Sequence, residues 1–101
     1  MTRIRKTAVK KVLCPLLINA EVMRVAHPNT FGRPDAEELS ALKKGDIVKV
    51  AIQGERFWVI ITKVKQPVLE GIVDNDLLTD QLKYKDLIRF HTDNIYQIHA
   101  L

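Results

Sequence analysis

The stretch DIVKVAIQGERFWVIITKVK, residues 46–65, decides the fold. Its first half alternates: Val48, Val50 and Ile52 fall on one side of an extended chain, and Lys49 falls on the other. Because side chains of a β-strand point alternately to its two faces, this period of two predicts a half-buried strand.

The second half of the stretch predicts the central strand of the sheet. Residues 56–64 are β-branched and aromatic and are apolar on both faces through the middle, which is typical of a strand with neighbours on both sides. Gln53-Gly54 between the two halves predicts a tight turn. The two strands therefore form a hairpin.

Further short extended segments follow. They are a third strand at 68–73 after a proline turn, with Gly71 suggesting a bend or bulge, a connection at 77–84, a fourth strand at 87–90, a one-turn helix at 92–95 and a last strand ending at 98. Three strands joined by tight turns, then two shorter ones, is the layout of a small barrel. The sequence predicts an α+β protein whose residues 46–99 form an SH3-like, curled antiparallel sheet.

Two short helices are predicted before the sheet. The first covers 19–27 with Asn19 as N-cap. The second follows Arg33, with acidic residues near its start, lysines in its last turn and Gly45 closing it: Pro34, Asp35, Glu37, Lys43 and Lys44.

The N-terminal segment, residues 1–17, is predicted to be extended and to add to a sheet edge, with a helix interrupted by Pro15 as the alternative. Residues 18–101 are predicted to form one domain. The net charge of +4 comes from this segment, since residues 12–101 hold 11 basic and 12 acidic residues. Its candidate phosphate contacts are Arg3, Arg5, Lys6, Lys10 and Lys11.

Cellular location is predicted from the single cysteine and from apolar run lengths. Cys14 alone allows no intramolecular disulfide, which is typical of a reducing compartment, and we expect this thiol to be buried. The apolar run at 12–18 is too short for a signal peptide or a membrane span. We expect a cytoplasmic protein with no membrane partner.

Residues that could carry chemistry are few. The three histidines lack metal-ligand spacing, and the acidic group at Asp74 and Asp76 is more simply a turn that ends a strand. No nucleophile and base, metal set or phosphate loop can be assembled. We therefore expect no catalytic residues, no metal, no cofactor and no enzymatic activity.

The aromatic residues are the candidate partner-binding residues: Trp58, Tyr84 and Tyr96. Phe57 and Trp58 are adjacent on one strand, so one points into the core and the other away from it. Trp58 offers the largest surface, and we expect the two helices to cover it.

Four motifs resemble an uncharacterised family of small bacterial domains: GERFWV at 54–59, GIVDND at 71–76, HPNTF at 27–31 and LKKGDIVK at 42–49. The resemblance spans roughly residues 18–98. It implies a fold and a bacterial, intracellular setting, and it implies no activity.

Taken together, these patterns favour a non-enzymatic protein-interaction domain that binds another protein or a second copy of itself. Sheet edges and aromatic grooves are its expected contact surfaces. The first alternative is a weak nucleic-acid-binding protein that uses the basic N-terminal arm, and the second is a small metal-dependent enzyme that uses Asp74 and Asp76.

Overall fold

The computed structural model describes residues 11–99, which form an α+β domain with one six-stranded sheet. The elements, in chain order, are β1 (Val12–Leu13), α1 (Ala20–Ala26), α2 (Ala36–Ser40), β2 (Ile47–Ile52), β3 (Glu55–Lys65), β4 (Val68–Val73), β5 (Leu87–His91), a one-turn 3-10 helix (Thr92–Asn94) and β6 (Gln97–Ile98). The predicted elements from β2 to β6 all occur within a residue or two of their expected places.

The sheet is open and mixed, with the strand order β1-β5-β4-β3-β2-β6. Every pair between β2 and β6 is antiparallel, as expected for residues 46–99. β1, which lies outside that range at the sheet edge, pairs with β5 in parallel, and the sequence did not predict a direction for it. Parallel neighbours need a long crossover, and the helices and hairpins between β1 and β5 supply it.

The β2–β3 hairpin has the two-residue turn that the sequence predicts. Ile52 pairs with Glu55, and between them Gln53 and Gly54 both have positive φ, +48° and +81°. A turn with two positive φ values matches the right-handed twist of the flanking strands.

Gly71 lies in β4 at a position where the neighbouring strand β3 leaves no room for a side chain. A Cβ atom there would lie 2.5 Å from Val59 Cγ1 and 2.6 Å from the Ile60 carbonyl oxygen. The irregularity in pairing falls in the facing strand, between Ile61 and Lys63, and not in β4 itself. The glycine thus gives room to the bulged partner strand.

The main core lies on one face of the sheet, which we call the inner face. It holds alternate residues of each long strand, among them Val48, Val50, Phe57, Val59 and Ile61, all at most 1% exposed. In the described part of the chain no second sheet faces them, and loop and helix residues close this core: Leu39, Leu42, Leu82 and Ile95. A smaller cluster of Ala20, Ala51 and Tyr96 joins α1 to the sheet.

The first helix begins as predicted, and the second is shorter than predicted. Asn19 caps α1 by accepting a hydrogen bond from the Val22 amide (3.0 Å). α2 is capped by Asp35 in a reciprocal pair with Glu38, and it ends at Ser40.

Lys43, Lys44 and Gly45 therefore do not close a helix; their placement there is a wrong prediction. They form a turn that leads into β2, in which the Lys43 amide donates to the Asp46 carboxylate (2.9 Å). Gly45, at φ +96°, also donates its amide to the Ile61 carbonyl (2.8 Å). Gly45 does mark a turn, as its residue type predicts. The turn is separate from α2, because the Asp46 carboxylate accepts the Lys43 amide.

Arg33 ties the segment between the helices to the end of the sheet. Its side chain is 5% exposed and donates to the carbonyls of Thr92 (2.5 Å) and Ile95 (3.2 Å) and to the Glu21 carboxylate (3.0 Å). Hydrogen bonds from Arg24 first, and then from Arg33, lower the pKa of Glu21 to about 2. This ion pair fixes α1 against the 3-10 turn.

Candidate functional site

The face of the sheet opposite the core is the candidate site, and we call it the outer face. It carries the residues that alternate with those of the main core: Ile47, Lys49 and the buried Ala51 on β2, Arg56, Trp58 and Ile60 on β3, and their counterparts on β4 and β5. Alternation along a strand fixes this division, because neighbouring side chains cannot share a face.

An apolar row crosses the outer face from one strand to the next, and we call it the apolar ribbon. It consists of five residues that are direct partners across neighbouring strands: Ile47 with Ile60, Ile60 with Ile72, Ile72 with Leu87, and Leu87 with Val12. All five are half-buried, and none belongs to either core cluster. The ribbon therefore presents apolar surface that the two cores do not use.

Basic side chains surround the apolar ribbon. The charged strand residues on the outer face are Lys49, Arg56, Lys63, Lys65 and Arg89, together with one acid, Glu70. Glu70 accepts hydrogen bonds from Arg89 at 2.9 and 3.1 Å. These bonds raise the pKa of Arg89, which keeps its charge.

Trp58 lies next to the ribbon on the outer face, half-buried, between two cationic or titratable side chains. Lys49 Nζ is 4.4 Å from the ring centroid, and the His99 ring meets the indole edge-on with centroids 5.4 Å apart. This differs from the expected cover by the helices: α1 buries Ala20 in the smaller cluster and α2 buries Leu39 in the main core. Phe57 is the member of the pair that enters the core.

The loop after β4 holds the backbone of Trp58. The Trp58 amide donates to the side-chain oxygen of Asn75 (2.6 Å), and its carbonyl accepts from the Asp74 amide (2.8 Å). The GIVDND segment thus extends the hydrogen bonding between β3 and β4 beyond the end of β4, with the Asn75 side chain acting as acceptor in place of a backbone carbonyl. This is a structural use of the acidic turn.

Tyr96 also belongs to the outer face, but it is largely buried. It is 9% exposed, packs edge-on against Phe31 (5.0 Å between centroids) and lies under the Arg56 guanidinium (4.8 Å). A groove of about 440 Å³ runs beside it along β6, the free edge of the sheet, past Gln97 and Ile98. Tyr96 therefore forms part of a groove wall.

Tyr84 is separate from the other two aromatic candidates. It is 51% exposed in the loop between β4 and β5, where Lys85 Nζ lies 5.4 Å from its ring. The structure thus brings Trp58 and Tyr96 to one face. Arg56, whose guanidinium lies over the Tyr96 ring, is two residues before Trp58 on β3. Tyr84 lies outside that face.

Within residues 11–99, no three histidine, cysteine or acidic side chains are grouped so that they could hold a metal ion. Asp74 and Asp76 are both exposed. His91 accepts the Asp93 amide through Nδ1 (2.9 Å) and so caps the 3-10 turn. Asp74 contacts β3 through its backbone amide, and the described contacts of His91 are those of a cap.

The predicted phosphate contacts of the N-terminal arm, Arg3, Arg5, Lys6 and Lys10, lie outside the described residues; Lys11 is exposed. Cys14 is exposed, so its expected burial is wrong. It follows the two-residue edge strand β1 and lies near enough to Arg89 to add to the rise of that residue's pKa.

The concentration of positive charge on one face is the feature that sequence reasoning missed. In the linear sequence, acids lie among the basic residues of the strands. The basic face could have been predicted from the positions of these residues relative to the buried valines and isoleucines of the same strands. Every lysine and arginine of β2 to β5 alternates with the core positions once the bulge near Thr62 is allowed for.

A comparison with protein-family models found no match, and comparisons with curated proteins and with solved structures found none either. In the described part of the chain, no helix is long and apolar enough to cross a membrane.

Proposed function

We propose that this chain is a non-enzymatic protein-interaction domain and that the outer face of its sheet is the contact surface. One observation carries the proposal: the apolar ribbon, five in-register residues that are half-buried and belong to neither core. Apolar patches rimmed by polar residues mark protein contact sites in soluble proteins. Trp58 beside the ribbon adds the residue type that most often dominates binding energy.

The finer parts of the proposal rest on the sequence. We take the sheet to be an SH3-like variant, because β2 to β5 follow one another as antiparallel neighbours and a one-turn helix precedes β6. The motifs around Trp58 and Asn75 support membership of the small bacterial domain family. A cytoplasmic location remains the proposal that the lone cysteine favours.

The test is affinity capture from extracts of the source organism with three full-length chains. These are the unchanged protein, an Ile72→Thr variant in the ribbon and a Lys83→Glu variant in the loop between β4 and β5. We expect the Ile72→Thr chain to lose a protein that the other two retain after nuclease treatment. Equal capture by all three chains would contradict the proposal. Sedimentation of the purified protein shows whether a second copy is that partner.

Nucleic-acid binding is the second candidate, and the basic outer face favours it. Five basic residues on one face attract phosphate groups electrostatically, which a neutral surface does not do. We rank it second because aliphatic residues, and not aromatic rings on which bases stack, form the ribbon between those charges. Capture of RNA or DNA that is lost at high salt and in the Lys63→Glu chain would reverse this ranking.

A further inference from the structure

The charges of this protein are separated by face. The strand residues of the outer face include five basic residues and one acidic residue, a net charge of +4. The rest of residues 12–99 carries six basic and eleven acidic residues, a net charge of −5. A chain body that is nearly neutral in sum therefore has one strongly basic face. Such a face attracts partners of the opposite charge and raises their rate of association.

The separation follows from the strands themselves. Of the acids in β2 to β5, Glu55 turns away from the outer face and accepts hydrogen bonds from the Leu78 and Thr79 amides at 2.8 to 3.1 Å. Glu70 is already satisfied by Arg89. The remaining acids lie in helices, turns and loops. Among the strand residues of the outer face, Glu70 is therefore the one carboxylate beside five basic side chains: it pairs in register with Lys63 and is hydrogen-bonded to Arg89.

The positions of the charges match a partner with a defined pattern. The ribbon crosses five strands, a length of about 19 Å at the usual strand spacing. Lys49 and Lys63 flank it on opposite sides, each about two to three residues along β2 or β3 from the ribbon, a distance of roughly 7–10 Å. A complementary surface has an apolar ridge with acidic side chains on both sides.

We propose that the outer face binds a protein segment whose apolar side chains are flanked by acidic ones. This inference rests on the proposed function and names the chemistry of the partner. The first ten residues of this chain do not fit that description, because they contain four basic residues and no acid. Charge pairs at the edge of an apolar contact give specificity and disfavour basic partners.

The experiment uses two labelled peptides and the full-length protein. Both peptides are about 14 residues long with the same stripe of leucines; one has glutamates beside the stripe and the other has lysines. Fluorescence anisotropy then measures their binding. We expect the glutamate peptide to bind at least about tenfold more tightly than the lysine peptide, because each surface ion pair contributes modestly and several act together.

Two double variants locate the effect. Lys63→Glu with Lys65→Glu reverses two charges on the outer face, and we expect about tenfold weaker binding of the glutamate peptide. Lys43→Glu with Lys44→Glu reverses two charges in the turn before β2, and we expect less than a twofold change. Equal binding of the two peptides, or equal effects of the two double variants, would overturn the inference.

Two further outcomes identify another occupant. A polyuridine oligonucleotide that binds more tightly than the glutamate peptide would overturn the inference in favour of nucleic acid. A dimer that dissociates in the Lys63→Glu/Lys65→Glu variant, together with no binding of either peptide, would also overturn the inference and would identify a second copy of the chain as the partner. If the Ile72→Thr chain loses its captured partner and the charge-reversed chain keeps it, the proposed function stands and this inference fails.

Discussion

The two faces of one sheet differ although the same strands build them. Ile61 is fully buried on the inner face, whereas its neighbour Ile60 is half-buried on the outer face. The inner residues are covered by Leu39, Leu42 and Ile95, whereas the outer face contributes only Ala51 and Tyr96 to the smaller cluster, and the apolar ribbon belongs to no core cluster. Apolar residues on the inner face account for most of the folding. Those of the ribbon are not needed for either core, which is why we assign them to binding.

The largest expected effect separates the adjacent residues Phe57 and Trp58. Phe57→Ala leaves a cavity in the main core and should lower the free energy of unfolding by about 3–5 kcal/mol. Trp58→Ala removes a half-buried side chain that lies outside both core clusters and should cost about 1 kcal/mol. Urea denaturation of both variants measures the difference. Equal losses would mean that Trp58 is a core residue and would remove the contrast between the faces.

Gly71 tests the packing between β3 and β4. Gly71→Ala forces a methyl group against Val59 and the Ile60 carbonyl, and overpacking of this kind costs about 1–3 kcal/mol. Gly32→Ala is the matched control, because a Cβ there meets no atom within 4 Å; it should change stability by less than about 0.5 kcal/mol. Thermal denaturation that ranks the two the other way would contradict the described strand spacing.

A third prediction concerns how the stability that the Glu21–Arg33 ion pair contributes, outside the sheet, changes with pH. The pKa of Glu21 is lowered from 4.5 to about 2 in the folded chain. Its contribution to stability is therefore complete above about pH 4.5 and is lost as the pH falls toward 2. Glu21→Gln should be less stable than the unchanged protein at pH 6, and the gap should narrow by pH 2.5. Glu37→Gln, on the exposed side of α2, is the control that should show no such narrowing.

The smallest expected effect on stability is on the apolar ribbon. Ile60→Thr should lower the free energy of unfolding by about 1 kcal/mol, since it keeps a β-branched side chain at a half-buried position outside both cores. Ile61→Thr buries a hydroxyl in the main core and should cost about 2–3 kcal/mol more. Denaturation curves give the ranking. Similar costs for both would show that the outer face is as tightly packed as the core.

The strands and the first helix could be predicted from local patterns. Alternation around Val48 and Val50, the Gln53-Gly54 turn and the Asn19 cap each act over a few residues, and the structure has them where the sequence placed them. α2 was predicted too long because Leu42, Lys43 and Lys44 continue a helical pattern. The Asp46 carboxylate binds the Lys43 amide instead, and a turn replaces the last helical turn.

Features that depend on contacts distant in sequence could not be predicted. Parallel pairing of Val12 with Leu87 joins residues that no local pattern connects. The separation of Tyr84 from Trp58, and the exposure of Cys14, follow from how loops cross the sheet. The basic face and the apolar ribbon arise only when the register of five strands is known. The sequence therefore predicted that aromatic residues belong to the candidate site, but it did not predict which surface of the sheet forms that site.

Site-specific photo-crosslinking in the source organism tests the central claim most directly. A benzophenone amino acid replaces Ile72 in the apolar ribbon in one full-length chain and Lys83 in the loop between β4 and β5 in another. We predict that illumination links the chain with the probe at position 72 to a partner protein, giving a heavier band, and that the chain with the probe at position 83 gives none. Adducts at position 83 without any at position 72 would contradict the outer face as the contact surface.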